Sequence, residues 1–153
     1  MPIRGADRVR QNMAAVFKRI KGPMTERTLT EVLIIGGGYA DSMTPVDLGN
    51  LLNSRFREVR QLGNKWVARY GYTARYAAAV HGLSAKLKGQ PRSDFGKTGN
   101  QSNVGPQMPR AFGGGSGTGN YWDPAAEPEW LTKGFERDGL EDIKAAIKRN
   151  MTL

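Results

Sequence analysis

Thr44-Pro45-Val46-Asp47-Leu48-Gly49-Asn50-Leu51 joins a helix break to a new helix start, and the rest of the chain is ordered around it. Pro45 fixes its own φ and disfavours helix at Thr44, so any helix arriving from upstream ends there. Asp47 can accept hydrogen bonds from the first free amides of a new helix, as an N-cap does. Leu48, Leu51 and Leu52 recur at helical spacing and give that helix an apolar side. The stretch predicts a turn, then a short, capped, amphipathic helix. Loss of the cap in Asp47→Ala is expected to cost about 0.5–2 kcal/mol.

Upstream, Val9, Met13, Val16, Phe17 and Ile20 form one helical stripe, flanked by Arg8, Arg10, Lys18 and Arg19. Gly22-Pro23 ends that helix and allows a second to start. The second carries Leu29, Val32, Leu33, Gly36, Tyr39, Ala40 and Met43 at helical spacing. Its Gly36-Gly37-Gly38 centre costs about 1 kcal/mol per glycine relative to alanine. Such glycines belong where another backbone approaches closely, or where the segment is not helical.

Downstream, Phe56–Arg60, a Leu62-Gly63-Asn64 turn and Trp66–Tyr72 predict two antiparallel strands. Trp66, Ala68, Tyr70 and Tyr72 share one face of the second strand; Lys65, Val67 and Arg69 share the other. Residues 76–82 read as a short helix closed by Gly82. Residues 84–125 are rich in Gly, Ser, Asn, Pro and basic side chains and predict a long Gly-rich loop or arm. Deleting 90–118 is expected to leave the fold intact. Leu140, Ile143, Ala146 and Ile147 mark a C-terminal amphipathic helix, acidic at Glu141 and Asp142 and basic at Lys148 and Arg149, in accord with the helix dipole. The fold class expected over residues 1–153, as one domain, is α+β: N-terminal helices and a C-terminal helix packed on a small antiparallel β-sheet.

The 153 residues carry 23 Lys and Arg against 14 Asp and Glu, a formal charge of +9. This excess favours polyanionic partners. It is uneven: residues 1–22 carry six basic and one acidic side chain, and residues 55–75 likewise six and one. Residues 84–120 carry five and one, while residues 122–153 reverse the sign with five basic and seven acidic. A basic body with an acidic end can attract copies of itself as well as nucleic acid. With no cysteine, thiol chemistry, disulfides and Cys-based metal sites are excluded. No apolar run approaches the ~20 residues of a membrane span, so the expectation is a soluble chain without an export signal.

Three stretches invite chemical readings. Val32–Asp41 resembles the strand and glycine turn of a dinucleotide site, but Asp41 occupies the third glycine position and would face the phosphates. His81 is the sole histidine, which rules out a histidine cluster. Asp138, Glu141 and Asp142 are explained by a helix start. No catalytic, cofactor-binding or metal-binding residue is assigned. Trp66, Tyr70 and Tyr72 with Arg57, Arg69 and Arg75 admit a small basic nucleic-acid-binding module that stacks bases, against the simpler reading of one core face and one solvated face. A weaker reading has Arg57, Arg69, Arg75, Lys86, Lys88, Arg92, Lys97 and Arg110 meeting passing DNA, or a neighbouring subunit, through charge alone.

Taken together, MTPVDLGNLLNS at 43–54, the hairpin and YAAAVHG at 76–82 resemble the head–tail joining proteins of tailed bacteriophages, also called tail-completion, neck or minor tail component proteins. Pro45, Val46, Asp47, Gly49, Leu51 and Ser54 fit the first part of the family pattern. Tyr76, Ala77, Val80 and Gly82 fit the second; Pro128, Trp130 and Leu131 fit the third. Leu48 stands for the usual threonine, Leu52 for the usual arginine and His81 for a common glutamate. The resemblance implies a non-enzymatic virion protein without cofactor, assembled in the host cytoplasm. It implies a homo-oligomeric ring, six-fold, in the neck between head-closure or connector proteins and the tail terminator or tail tube. The ring would form part of the DNA channel, with non-specific contact to double-stranded DNA and no membrane partner.

Overall fold

Gly22 takes φ −116° and ψ −107°, outside the helical region, and Pro23 has no amide to donate. The chain therefore bends between helix α1 (Ala6–Arg19) and helix α2 (Thr25–Met43), through a π-helical turn at Ile20–Met24. The computed structural model describes residues 6–46, 49–84, 86, 88–90 and 123–152. Helix α2 ends where Pro45 requires it to: Thr44 is extended, with ψ 127°.

Asp47, Leu48 and most of the 84–125 arm, with Arg92, Lys97 and Arg110, lie outside the described residues. The helix expected to start on an Asp47 cap is a single turn, α3 (Asn50–Asn53). It begins later than that cap implies, because Gly49 before it sits at φ 81°, a left-handed conformation that cannot be a helical turn.

Strands β1 (Arg55–Leu62) and β2 (Lys65–Tyr72) form the expected hairpin, closed by Gly63-Asn64 with Gly63 at φ 59°. The register runs from Arg55 opposite Tyr72 to Leu62 opposite Lys65. Arg55, Arg57, Val59 and Gln61 therefore share a face with Tyr72, Tyr70, Ala68 and Trp66. That face meets α2: a Cβ at Gly37 would collide with the Tyr70 ring. Phe56, on the opposite face, covers Gly71.

Helix α4 (Ala77–His81) follows the hairpin. Later come α5 (Trp130–Lys133), a π-helical turn at Gly134–Asp138 and α6 (Leu140–Met151). Helix α6 packs chiefly against α2 and antiparallel to it. Tyr39 donates to Asp142 at 2.6 Å near one end, and Arg149 and Asn150 bond to Glu31 near the other. The architecture is α+β, with α2 between the hairpin and the C-terminal segment.

The glycines of α2 mark these two contacts, although by ring rather than backbone approach. Gly36 faces Phe135, Gly37 faces Tyr70, and Gly38 faces open space. Backbone approach occurs one turn later, where a Cβ on Gly134 would lie 2.5 Å from the Ala40 nitrogen. The buried positions Leu33, Gly36, Gly37, Ala40 and Met43 follow a helical stripe.

Two apolar sides expected from the sequence are not covered. Every side chain of α1 from Asp7 to Arg19 is exposed, including Val9 at 58% and Phe17 at 54%. Ile147 of α6 is exposed as well, since Ile143 and Ala146 already fill the contact with α2.

Candidate functional site

Residues from the three separated stretches that carry the resemblance come together in one place. Leu51 from α3 and Trp130 from α5, 5% and 1% exposed, pack with Ala40 and Met43 of α2 as a buried cluster. Ala77 and Val80 of α4, Leu131 and Tyr72 close around them. The Trp130 ring stands edge-on to His81 at 4.8 Å and to Tyr72 at 6.0 Å. Backbone bonds pin the same segments together. The Glu129 amide donates to the His81 carbonyl at 2.9 Å, and the Glu127 amide to the Met43 carbonyl at 3.0 Å. The Val46 amide donates to the Asp123 carboxylate at 2.8 Å.

The remaining pattern residues serve local geometry. Ser54 donates to the Leu51 carbonyl at 2.7 Å and accepts the Thr73 amide at 2.8 Å, which joins α3 to the end of the hairpin. Gly82 closes α4 by donating to Ala78 but keeps φ −86°, so no left-handed cap forms. Pro45 and Val46 are half-buried and Tyr76 is exposed. Pro128 lies in the turn that leads into α5. The pattern builds a junction between segments, not a pocket.

Beside the junction sits Asp41, in the last turn of α2. Its carboxylate accepts Tyr70 at 2.7 Å and Tyr72 at 3.2 Å, and pairs with Arg55 at 2.8 Å. Thr44, buried, donates to the Ala40 carbonyl at 2.9 Å and lies 2.8 Å from the Tyr72 hydroxyl. Burial first, then the Asp41 carboxylate, raises the Tyr70 hydroxyl well above the ordinary tyrosine range. Burial raises Tyr72 too. Both hydroxyls stay protonated and serve as donors to the aspartate. The cluster holds the sheet to the helix. Next to it, a groove of 350 Å³ is lined by Leu33, Ile34, Gly37 and Gly38 of α2 with Phe56 and Arg57 of β1.

The strand-and-glycine-turn reading of Val32–Asp41 fails, since all ten residues lie inside α2. The base-stacking reading of the hairpin fails as well. Tyr70 packs against Phe135 at 5.6 Å, Tyr72 against Trp130, and the Trp66 indole donates to the Lys21 carbonyl at 2.6 Å. These rings face protein. Nor do the cations converge: Arg57 and Arg69 stand on opposite faces of the hairpin. Arg75 and Lys86 are exposed, and Lys88 pairs with Glu127 at 3.4 Å.

Glu127 also pairs with Lys133 at 2.8 Å and Arg137 at 3.8 Å. The Lys133 hydrogen bond, foremost, holds its carboxyl below the usual range. The structural roles of Asp41, Glu127 and Gly134 carry no mark in the sequence pattern. One signal does point to Asp41: an acid in the last turn of a helix opposes the dipole and so needs cationic or donor partners. Among the described residues no cluster of three or more His, Asp or Glu could hold a metal ion, and no helix is long and apolar enough to cross a membrane. The chain significantly matches no family model, no curated protein and no solved structure.

Proposed function

We propose that this chain is a structural protein of the bacteriophage neck, a tail-completion ring subunit that joins head-closure proteins to the tail terminator or tube and lines part of the DNA channel. The observation that supports the reading is that Leu51, Ala77, Val80, His81 and Leu131, drawn from three separated stretches, gather around Trp130. Words that resemble one family pattern, though separated along the chain, cooperate in a single junction, as a fold signature should. Leu51 and Trp130, the two buried members, serve as core residues that give the junction its shape. The positive charge suits a DNA-lined lumen or an acidic mating surface.

The competing reading, a small basic nucleic-acid-binding module, loses its stacking platform to the core and retains only phosphate attraction. Electron microscopy of the purified chain, with sedimentation at two salt concentrations, separates the two. Closed rings without DNA are the expected result. A monomer whose only activity is salt-sensitive DNA binding would overturn the proposal.

A further inference from the structure

Helix α1 leaves the body at the Gly22 bend and carries Val9, Met13, Val16 and Phe17 exposed along one side. A lone helix of 14 residues is marginal in water, near the lower limit of about 12–15 residues for isolated helices. Its apolar side therefore calls for a partner, and the charge on the molecule says which. Arg8, Arg10, Lys18 and Arg19 outnumber Asp7 on α1, so two α1 helices laid side by side would repel.

The opposite charge lies at the other end of the same body. Helix α2 runs away from the root of α1, and the turn leading into α6 sits near the far end of α2, where Tyr39 bonds to Asp142. Glu136, Asp138, Glu141 and Asp142 are all exposed there, around a partly exposed Tyr39, against Arg137 and Lys144. The spacing between the two ends is about 20 Å along α2, at 1.5 Å per residue. A basic, apolar helix at one end and an acidic surface at the other make a head-to-tail contact, the kind that closes into a ring when the rotation permits.

We infer that α1 is an assembly arm that docks on the acidic end of a second copy of this chain, its apolar stripe against the neighbour and its cations beside Glu136, Asp138 and Glu141. The inference rests on the reading of the chain as a ring subunit. Charge alone does not hold the arm: the apolar stripe supplies affinity, and the ion pairs set direction.

Light scattering of the purified full chain during size-exclusion chromatography, at low and high salt, tests this. Wild type is expected to be oligomeric and to weaken with salt. Val16→Asp with Phe17→Asp, both on exposed positions, should raise the dissociation constant roughly tenfold or more without shifting the melting temperature measured at a dilution where both chains are monomeric. Glu136→Lys with Glu141→Lys should do the same, and adding Arg8→Glu with Arg10→Glu should restore assembly. If both pairs of variants assemble like wild type, the α1 contact is wrong and the ring reading stands. If the charge swap restores nothing, the acidic end is not the receptor and the inference fails. If wild type is monomeric throughout, the ring reading falls and this inference falls with it.

Discussion

Three consecutive glycines in α2 meet three different surroundings, which makes them a controlled experiment in why glycine is there. Gly38 faces solvent, and an alanine Cβ would touch nothing. Gly38→Ala should therefore stabilise the fold by about 0.5–1 kcal/mol, from helix propensity and a less flexible unfolded chain. At Gly36 the same Cβ would overlap the body of the Phe135 ring, and at Gly37 that of Tyr70. Both rings are held, Tyr70 by Asp41 and Phe135 by Tyr70, so each substitution should destabilise by roughly 1–3 kcal/mol. Urea midpoints of the three variants check this. Equal shifts of one sign would mean that the rings do not dictate the glycines. Composition shows three residues poor for a helix; only the structure shows that two of them are contacts and one is not.

The elements divide by whether their defining signal is local. Hairpin β1–β2 is readable because alternation and a Gly-Asn turn are both encoded within 18 residues, Arg55 to Tyr72. The end of α2 is readable because Pro45 acts on its own neighbour. By contrast, the π-helical turn at Gly134–Asp138 follows from packing on Ala40, nearly a hundred residues away in sequence, and no periodicity announces it. Amphipathicity foretells that α1 is a helix but not that its apolar side lies open, since a stripe does not name its partner. The candidate site obeys the same division: the pattern residues stand in local words, whereas Asp41 gains its role from strands that pair later in the chain. A two-stranded sheet is marginal on its own, so its attachment through Asp41 should be decisive. Asp41→Ala strands the Tyr70 hydroxyl and Arg55, leaves Tyr72 with Thr44 alone, and should cost about 1–3 kcal/mol. Asp41→Asn, which keeps an acceptor, should cost less. A urea series in which the two variants match would show that the hydroxyls find other partners.

At the scale of the whole molecule, carboxylates tie distant segments together, and this gives stability a pH dependence of known sign. Glu127 receives Lys88 from the segment after α4 and Lys133 from α5. Its donors hold the carboxyl below its ordinary value. Asp138, bonded by Arg137, and Glu31, bonded by Asn150 and Arg149, shift the same way. A carboxyl whose folded pKa lies below its unfolded value, about 4.3 for glutamate, binds fewer protons when folded. Its contribution is therefore fully present above the unfolded pKa and is lost as pH falls through the folded one. Partial exposure makes each contribution modest, because solvent screens the pairs. Glu127→Gln keeps the shape and an acceptor oxygen but removes the charge. Its melting temperature should lie below that of wild type by a constant margin from pH 5 to pH 8. The margin should close as pH falls through the lowered pKa of the folded carboxyl, where the wild-type side chain also becomes neutral. Thermal melts of the two proteins from pH 8 downward decide the matter: a margin that does not narrow at any acid pH would mean that Glu127 acts through packing, and its ionic tie to Lys88 and Lys133 would have to be abandoned.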